Sequence, residues 1–338
     1  MKRVRIGMAG LAHAHAEGYL HLLEQDPRVQ LSAVWDEAGE KARRTARRFQ
    51  MRCCGNLDEL VGQGLDLLLV CTENTRHLKP VLAGAKAGVD ILCEKPLGTD
   101  LAEMDAMIEA CKAGGSQLLT AFPNRYVPEI LWARELVAQG RIGALRAVKA
   151  SNKGKFPGGF FVQPELSGGG SLMDHVVHVA DLMNWFMGGG PQWVCALCGT
   201  VLHPGLEVDD VSMVHFGYAD GTTVTLDSSW SRGEKYPSDR NLSLELMGTE
   251  GTLSVDVAAD HNRICSDRAD RELWLPFGEN KVKRMIEDAV ECVLEHRPFS
   301  VTGEDGRRAA QVALAAIASA RSGQPVQLSE REGYHETN

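Results

Sequence analysis

Short apolar runs alternate with amphipathic stretches through the first third of the chain. Val4 to Ala9, Val29 to Trp35, Leu67 to Cys71, Ile91 to Cys93 and Leu118 to Thr120 are nearly continuous in apolar residues, the pattern of strands covered on both faces. Between them, His15 to Gln25, Glu37 to Phe49, Thr75 to Ala87 and Leu101 to Ala113 carry helical spacing. Strands and helices in strict alternation predict a parallel sheet wrapped on both sides. Past a helix near Tyr126 to Gln139 the pattern changes. Ala144 to Gly154 reads as a strand, a Gly/Pro-rich loop follows, and Ser171 to Met187 reads as one strong helix. Val208 to Tyr218, Thr222 to Trp230, Asn241 to Met247 and Thr252 to Val257 then alternate or are β-branched, divided by turns such as Ala219-Asp220-Gly221. These predict a mostly antiparallel sheet. Helices near Asn280 to His296 and Asp305 to Ser322 close the chain. The expected division is an α/β domain over 1–121 and an α+β domain over 122–338.

A chain of 338 residues exceeds what one core usually supports, in keeping with two domains. A formal charge of −9 disfavours a phosphate-backbone partner, so no nucleic acid is expected. The N-terminus enters a strand at once, without an apolar stretch long enough for a signal peptide or membrane span. Nine cysteines without framework spacing read as buried free thiols. The expected location is the cytoplasm, with no membrane partner.

Gly10, Ala12 and His15 stand where the first predicted strand turns into the first helix, in the three glycine places of a dinucleotide fingerprint. Small residues there let the backbone approach a pyrophosphate that the helix N-terminus stabilises. The motif is degraded, and a plain strand-to-helix turn explains it equally well. His13 and His15 are candidate phosphate donors or simply polar residues at a helix start. No Cys or acidic residue stands at ligand spacing beside them, and no metal is expected. Cys195 and Cys198 have no partnering pair and are likewise not read as ligands. Asp36 ends the second strand, the place of a carboxylate that bonds the adenosine ribose and repels a 2′-phosphate. NAD is therefore expected over NADP, although an arginine of the basic run Lys41 to Arg48 could weaken that preference. Asp36 also suits a helix N-cap.

Cys71-Thr72-Glu73-Asn74-Thr75-Arg76-His77 and Glu94-Lys95-Pro96 each follow a predicted strand, and Gly168-Gly169-Gly170-Ser171 leads into Asp174-His175-Val176-Val177-His178. Together with Val301 to Ala309, these motifs resemble the Gfo/Idh/MocA family of glucose-fructose oxidoreductase and inositol dehydrogenase-like enzymes over essentially the whole chain. Glu73 stands where the family usually has proline. The resemblance implies a Rossmann doubly wound domain followed by an open-sheet domain. It also implies cofactor contacts from Thr72, Asn74, His77, Glu94, Lys95 and Asn124, and catalytic roles for Lys95, Asp174 and His178. Arg125, Lys153, Lys155, His175 and Tyr236 are similar in placement to substrate contacts, and a homodimer or homotetramer is implied.

Asp174 and His178 are one helical turn apart, so they share a face, with Asp181 close to the same line. Polar groups on an otherwise apolar stripe are expensive unless bonded or functional. Histidine suits the transfer of a hydroxyl proton near neutral pH. Asp174 would hold a substrate hydroxyl and Lys95 would stabilise alkoxide charge; an alternative makes Lys95 the proton carrier. The expected activity is NAD(P)-dependent oxidation of a sugar or polyol hydroxyl. The alternatives are transient redox serving epimerisation, elimination or glycoside cleavage, and a ligand sensor without turnover.

Overall fold

The computed structural model of the chain describes residues 3–238, 242–257, 261–264, 273–276 and 280–328. It separates into two compact units. Met1–Val127, Gly158–Gly168 and Gly278–Ala310 form the first; Pro128–Pro157, Gly169–Phe277 and Gln311–Asn338 form the second.

In the first unit β1 (Val4–Ala9), α1 (His15–Glu24), β2 (Val29–Trp35), α2 (Gly39–Arg48), β3 (Arg52–Cys53), α3 (Leu57–Val61), β4 (Leu67–Val70), α4 (Leu78–Lys86), β5 (Asp90–Cys93), α5 (Leu101–Gly114) and β6 (Leu118–Thr120) follow one another. The strands form one parallel sheet ordered β3-β2-β1-β4-β5-β6. Strand order reverses between β1 and β4, and ligands of such sheets bind outside the strand ends at that point. All four residues of β4 are buried, as a strand covered on both faces requires. In α2 only Ala42 and Ala46 are buried, so its arginines form a solvated face. β3 and α3 are among the elements the periodicity does not show. β3 is a two-residue edge strand, and α3 is a short helix capped by Asn56, whose side chain accepts from the Glu59 N–H. The helix expected from Thr75 begins instead at Leu78, after a tight turn at Asn74–Arg76. Pro80 lies in its first turn, where no intrahelical donor is needed.

In the second unit α6 (Pro128–Ala138) precedes β7 (Leu145–Asn152). The short α7 (Pro164–Ser167) belongs to the first unit, and the long α8 (Ser171–Met187) returns the chain to the second. There follow β8 (Trp193–Gly199), β9 (Val211–Gly217), β10 (Thr223–Asp227), β11 (Leu242–Gly248), β12 (Thr252–Asp256), β13 (His261–Ile264) and β14 (Leu273–Pro276). Asn241, the expected start of β11, lies outside the described residues. α9 (Lys281–Glu295) belongs to the first unit and α10 (Gly303–Ser322) is divided between the two; in the second, β15 (Val326–Gln327) joins a seven-stranded sheet ordered β12-β11-β7-β10-β9-β8-β15. Only β7 and β10 pair in parallel; the other neighbours are antiparallel. α8 packs against β7 and β9. Among the described residues, no helix is long and apolar enough to cross a membrane.

Candidate active site

The chain leaves β1 through Gly10, whose φ of +83° suits glycine. A Cβ there would lie 2.4 Å from Thr72 Cγ2 and 2.6 Å from the Thr72 nitrogen, so no side chain fits between the loop after β1 and Thr72 after β4. Asp36 pins this loop. One carboxylate oxygen accepts the Leu11 N–H at 2.6 Å and the other the Ala38 N–H at 2.8 Å, so Asp36 also organises the entry to α2. Gly10, Ala12, Trp35, Asp36, Thr72 and Arg76 line an open groove of about 1220 Å³. Thr72 Oγ1, on a side chain only 7% exposed, has no hydrogen-bond partner among the described residues. A glycine-tight turn, an orphaned hydroxyl and a ribose-type carboxylate around one groove fit a dinucleotide. Of the basic run, Lys41 turns back to donate to the Leu11 carbonyl beside Asp36 and lines the groove, whereas Arg43 bonds Glu40 and Arg48 bonds Glu17; Arg76 from the next loop bonds Glu37.

Several motif residues position backbone. His77 is buried, with Nδ1 3.1 Å from the Leu97 carbonyl and Nε2 3.3 Å from the Thr72 carbonyl. It thereby ties the loop after β4 to the loop after β5, and burial pushes its pKa down. Asn74 donates to the Ser167 carbonyl at 3.0 Å. Asn124 accepts from Lys281 Nζ at 2.6 Å, and Arg125, 5% exposed, pairs with Asp305 at 3.2 Å. Lys95 follows β5 after Glu94, and its Nζ lies 5.9 Å from the centre of the Phe161 ring, within cation–π range.

Glu94 is fully buried and is the centre of a polar cluster. Tyr19 Oη donates to Oε1 at 2.5 Å, His15 Nδ1 lies 2.9 Å from the same oxygen, and His13 Nδ1 lies 3.5 Å from it. The Lys95 N–H donates to Oε2 at 3.1 Å. Burial alone would raise the Glu94 pKa, but His13, His15 and Tyr19 outweigh it and hold the carboxyl well below its usual range. Tyr19 is pushed well up, by burial first and then by Glu94. No local spacing places a carboxylate beside the two histidines, because Glu94 stands 79 residues from His15. Tyr19 was also missed, although it stands one helical turn from His15.

In the second unit Asp209 caps α8, accepting from the Leu172 N–H at 2.8 Å and Ser171 Oγ at 2.7 Å. Asp174, one turn in, is 8% exposed; Oδ2 accepts from Trp230 Nε1 at 3.1 Å and lies 3.2 Å from His175 Nε2. His175 Nδ1 faces the Ser228 carbonyl at 3.1 Å, so both its ring nitrogens meet acceptors. Gly154 gives this ring room, since a Cβ there would stand 2.3 Å from His175 Cε1. Asp174, His175 and Gly154 thus form one cluster, completed by Trp230 and Ser228, which are distant in sequence and were missed. His178 is half-buried on the same helix. Lys153 pairs with Asp227 at 2.8 Å, and Tyr236 lies under the Arg232 guanidinium at 4.1 Å. Lys155 forms an isolated backbone bridge to Arg232.

Residues 4–122 match the oxidoreductase family with an NAD-binding Rossmann fold, and residues 130–254 match the GFO/IDH/MocA C-terminal domain. A myo-inositol 2-dehydrogenase of Thermotoga maritima is 28% identical over 347 residues, covering 97% of this chain and 99% of that protein. A 1,5-anhydro-D-fructose reductase of Ensifer adhaerens is 27% identical over 282 residues, covering 81% of this chain and 83% of that protein. Among solved structures, GenD2 from gentamicin A biosynthesis in complex with NAD aligns with a TM-score of 0.87 at 25% identity, covering 98% of this chain and 97% of that one. The groove, the motifs and these matches agree: the chain belongs to the GFO/IDH/MocA family of oxidoreductases, and its first unit carries that family's NAD-binding Rossmann domain.

Proposed function

We propose that the protein is a dehydrogenase that interconverts a secondary hydroxyl and a ketone on a sugar, cyclitol or related polyol, with NAD preferred over NADP. The observation that carries this reading is the polar face of α8. Asp174 stands among buried Leu172, Met173, Val176 and Val177 and is bonded by Trp230 and His175, a desolvation expense with no packing return. Residues 1–121 are assigned to the dinucleotide and 122–338 to the substrate and a homo-oligomeric contact. The cytoplasm is the proposed location, supported by the free thiols of the described cysteines.

Gly10, Ala12, His13, His15, Asp36, Thr72 and Glu94 would hold the dinucleotide. Once bound, it supplies the two-electron acceptor and donor. His178 takes the proton from the reacting hydroxyl oxygen and returns it in the reverse direction, work suited to an imidazole near neutral pH. Asp174 accepts a bond from a substrate hydroxyl and holds it in line, and Lys95 stabilises negative charge on the reacting oxygen. His175 and Lys153 add donors for further hydroxyls or a carboxylate; for Lys153 this means release from Asp227. The test is a screen of inositols, aldoses and sugar acids with NAD⁺ and NADP⁺ separately, followed by reduced-nicotinamide absorbance. Turnover of at least one polyol with NAD⁺ is expected; inactivity on all classes with both cofactors, in protein that binds NAD⁺, would count against the reading.

A further inference from the structure

His13 Nδ1, His15 Nδ1 and a Glu94 carboxylate oxygen lie within 4.8 Å of one another. The backbone N–H of His15 lies 3.2 Å from His13 Nδ1, and the same nitrogen lies 3.5 Å from Glu94 Oε1. A buried carboxylate facing two imidazole nitrogens is stabilised by a cation held among them, a proton or a metal ion.

We propose that His13, His15 and Glu94 bind one divalent transition-metal ion of the zinc class. Two imidazoles and a carboxylate are a ligand set of that class, whereas magnesium and calcium take oxygen ligands. With zinc-to-ligand bonds of about 2.0–2.1 Å, tetrahedral ligand atoms stand roughly 3.3 Å apart. The 3.5 Å pair fits this edge, and the 2.9 Å pair needs a small opening. His15 can supply it, because its side chain is 40% exposed. The ion would replace the long bond from the His15 N–H as the partner of the His13 lone pair. The outer contacts are in place: Tyr19 Oη bonds Oε1 and the Lys95 N–H bonds Oε2, fixing the carboxylate as metal sites usually require. Three protein ligands leave a coordination position for water or for an oxygen of a bound molecule. The same three side chains are assigned above to the dinucleotide, and the inference concerns ion binding by the chain alone, without that cofactor.

The full chain, stripped with a chelator and desalted, is titrated with Zn²⁺ alone in competition with a chromophoric chelator, and separately with Co²⁺ for its visible spectrum. One equivalent should bind with Kd on the order of 1 μM or tighter, as for three-ligand nitrogen and oxygen sites. The Co²⁺ adduct should lack a thiolate charge-transfer band, which separates this site from exposed Cys53 and Cys198. His15→Ala, at a half-exposed position that folding tolerates, should weaken Zn²⁺ at least ~10-fold, and Tyr19→Phe should do so by about 10-fold. Circular dichroism checks that each variant is folded, and His15→Ala decides alone where another is not. Absence of binding, a thiolate band, or unchanged affinity in His15→Ala would overturn the proposal, leaving a hydrogen-bonded cluster only.

Discussion

Replacing Asp36 by Ser separates the two duties of this carboxylate. In the protein it accepts two backbone N–H bonds, from Leu11 at 2.6 Å and Ala38 at 2.8 Å. A serine hydroxyl can replace one of them. Losing the other, a charge-assisted bond of about 1.5–3 kcal/mol, should lower Tm by roughly 3–12 °C at ~2–4 °C per kcal/mol. NAD⁺ loses the ribose bonds to a charged acceptor, again about 1.5–3 kcal/mol, or roughly 10- to 100-fold in Kd. NADP⁺ moves the other way. A 2′-phosphate of charge about −1.5 to −2, set ~5 Å from a carboxylate in a groove open to water, meets a repulsion of roughly 1–3 kcal/mol. The serine variant relieves it, so the Kd ratio of NADP⁺ to NAD⁺ should fall at least ~50-fold. Trp35 lines the groove beside Asp36, so quenching of tryptophan fluorescence reports binding, with calorimetry as a check. Equal affinity for the two cofactors in the unmodified protein, or an unmoved ratio in a variant whose Tm has dropped, would refute the reasoning and leave Asp36 a purely structural residue.

Three further outcomes are expected. Gly154→Ala places a Cβ 2.3 Å from His175 Cε1, so the ring must leave Asp174 or the Ser228 carbonyl; KM for the polyol should rise about tenfold, equivalent to ~1.4 kcal/mol, while Kd for NAD⁺ stays put. Leu197 and Met213, cross-strand neighbours on β8 and β9 that are 73% and 47% exposed, form an apolar patch that a second copy would cover. If the proposed homo-oligomer forms through this patch, Leu197→Glu with Met213→Glu should give monomer in light scattering, and a wild-type monomer at micromolar concentration would contradict this. Asp305 gives the pH dependence. Burial pushes its carboxyl up, but Arg125, the Thr302 N–H and Arg308 outweigh it and hold the pKa below the usual value. Its stabilising contribution is therefore full above the unfolded pKa of about 3.9 and lost as pH falls through the lower folded value. Asp305→Asn should lower Tm at pH 7 and shrink the difference between pH 7 and pH 3.

The alternation of apolar runs located the parallel sheet because β1, β4, β5 and β6 are buried on both faces over almost their whole length, a pattern that needs no tertiary knowledge. β1, β2, β6 and α8 have the bounds their hydrophobic residues define. β8 was not recognised as a strand because its outward positions Trp193, Cys195 and Leu197 are apolar like its buried Val194 and Ala196, so its sequence lacks the apolar–polar alternation that marks half-buried strands. The motif residues were visible, but their partners were not. Trp230 reaches Asp174 across 56 residues and Glu94 reaches His15 across 79, and no local periodicity encodes such contacts. His77 shows the opposite limit: its place in a family motif was plain, yet only the carbonyls of Thr72 and Leu97 reveal that it fastens two loops together.

The central claim of the proposed function is that His178 and Lys95 act on one reacting oxygen, with Asp174 holding a substrate hydroxyl in line. It is tested most directly by steady-state kinetics of Lys95→Ala, His178→Ala and their double variant on the polyol found by screening, with NAD⁺ binding measured in parallel. Each single change should lower kcat by about 100-fold or more with NAD⁺ affinity nearly intact, and the double change should fall far short of the product of the two, because both groups serve the same transition state. Wild-type turnover in His178→Ala would contradict the assignment of the proton to this residue, and wild-type turnover in both single variants would contradict the site as a whole.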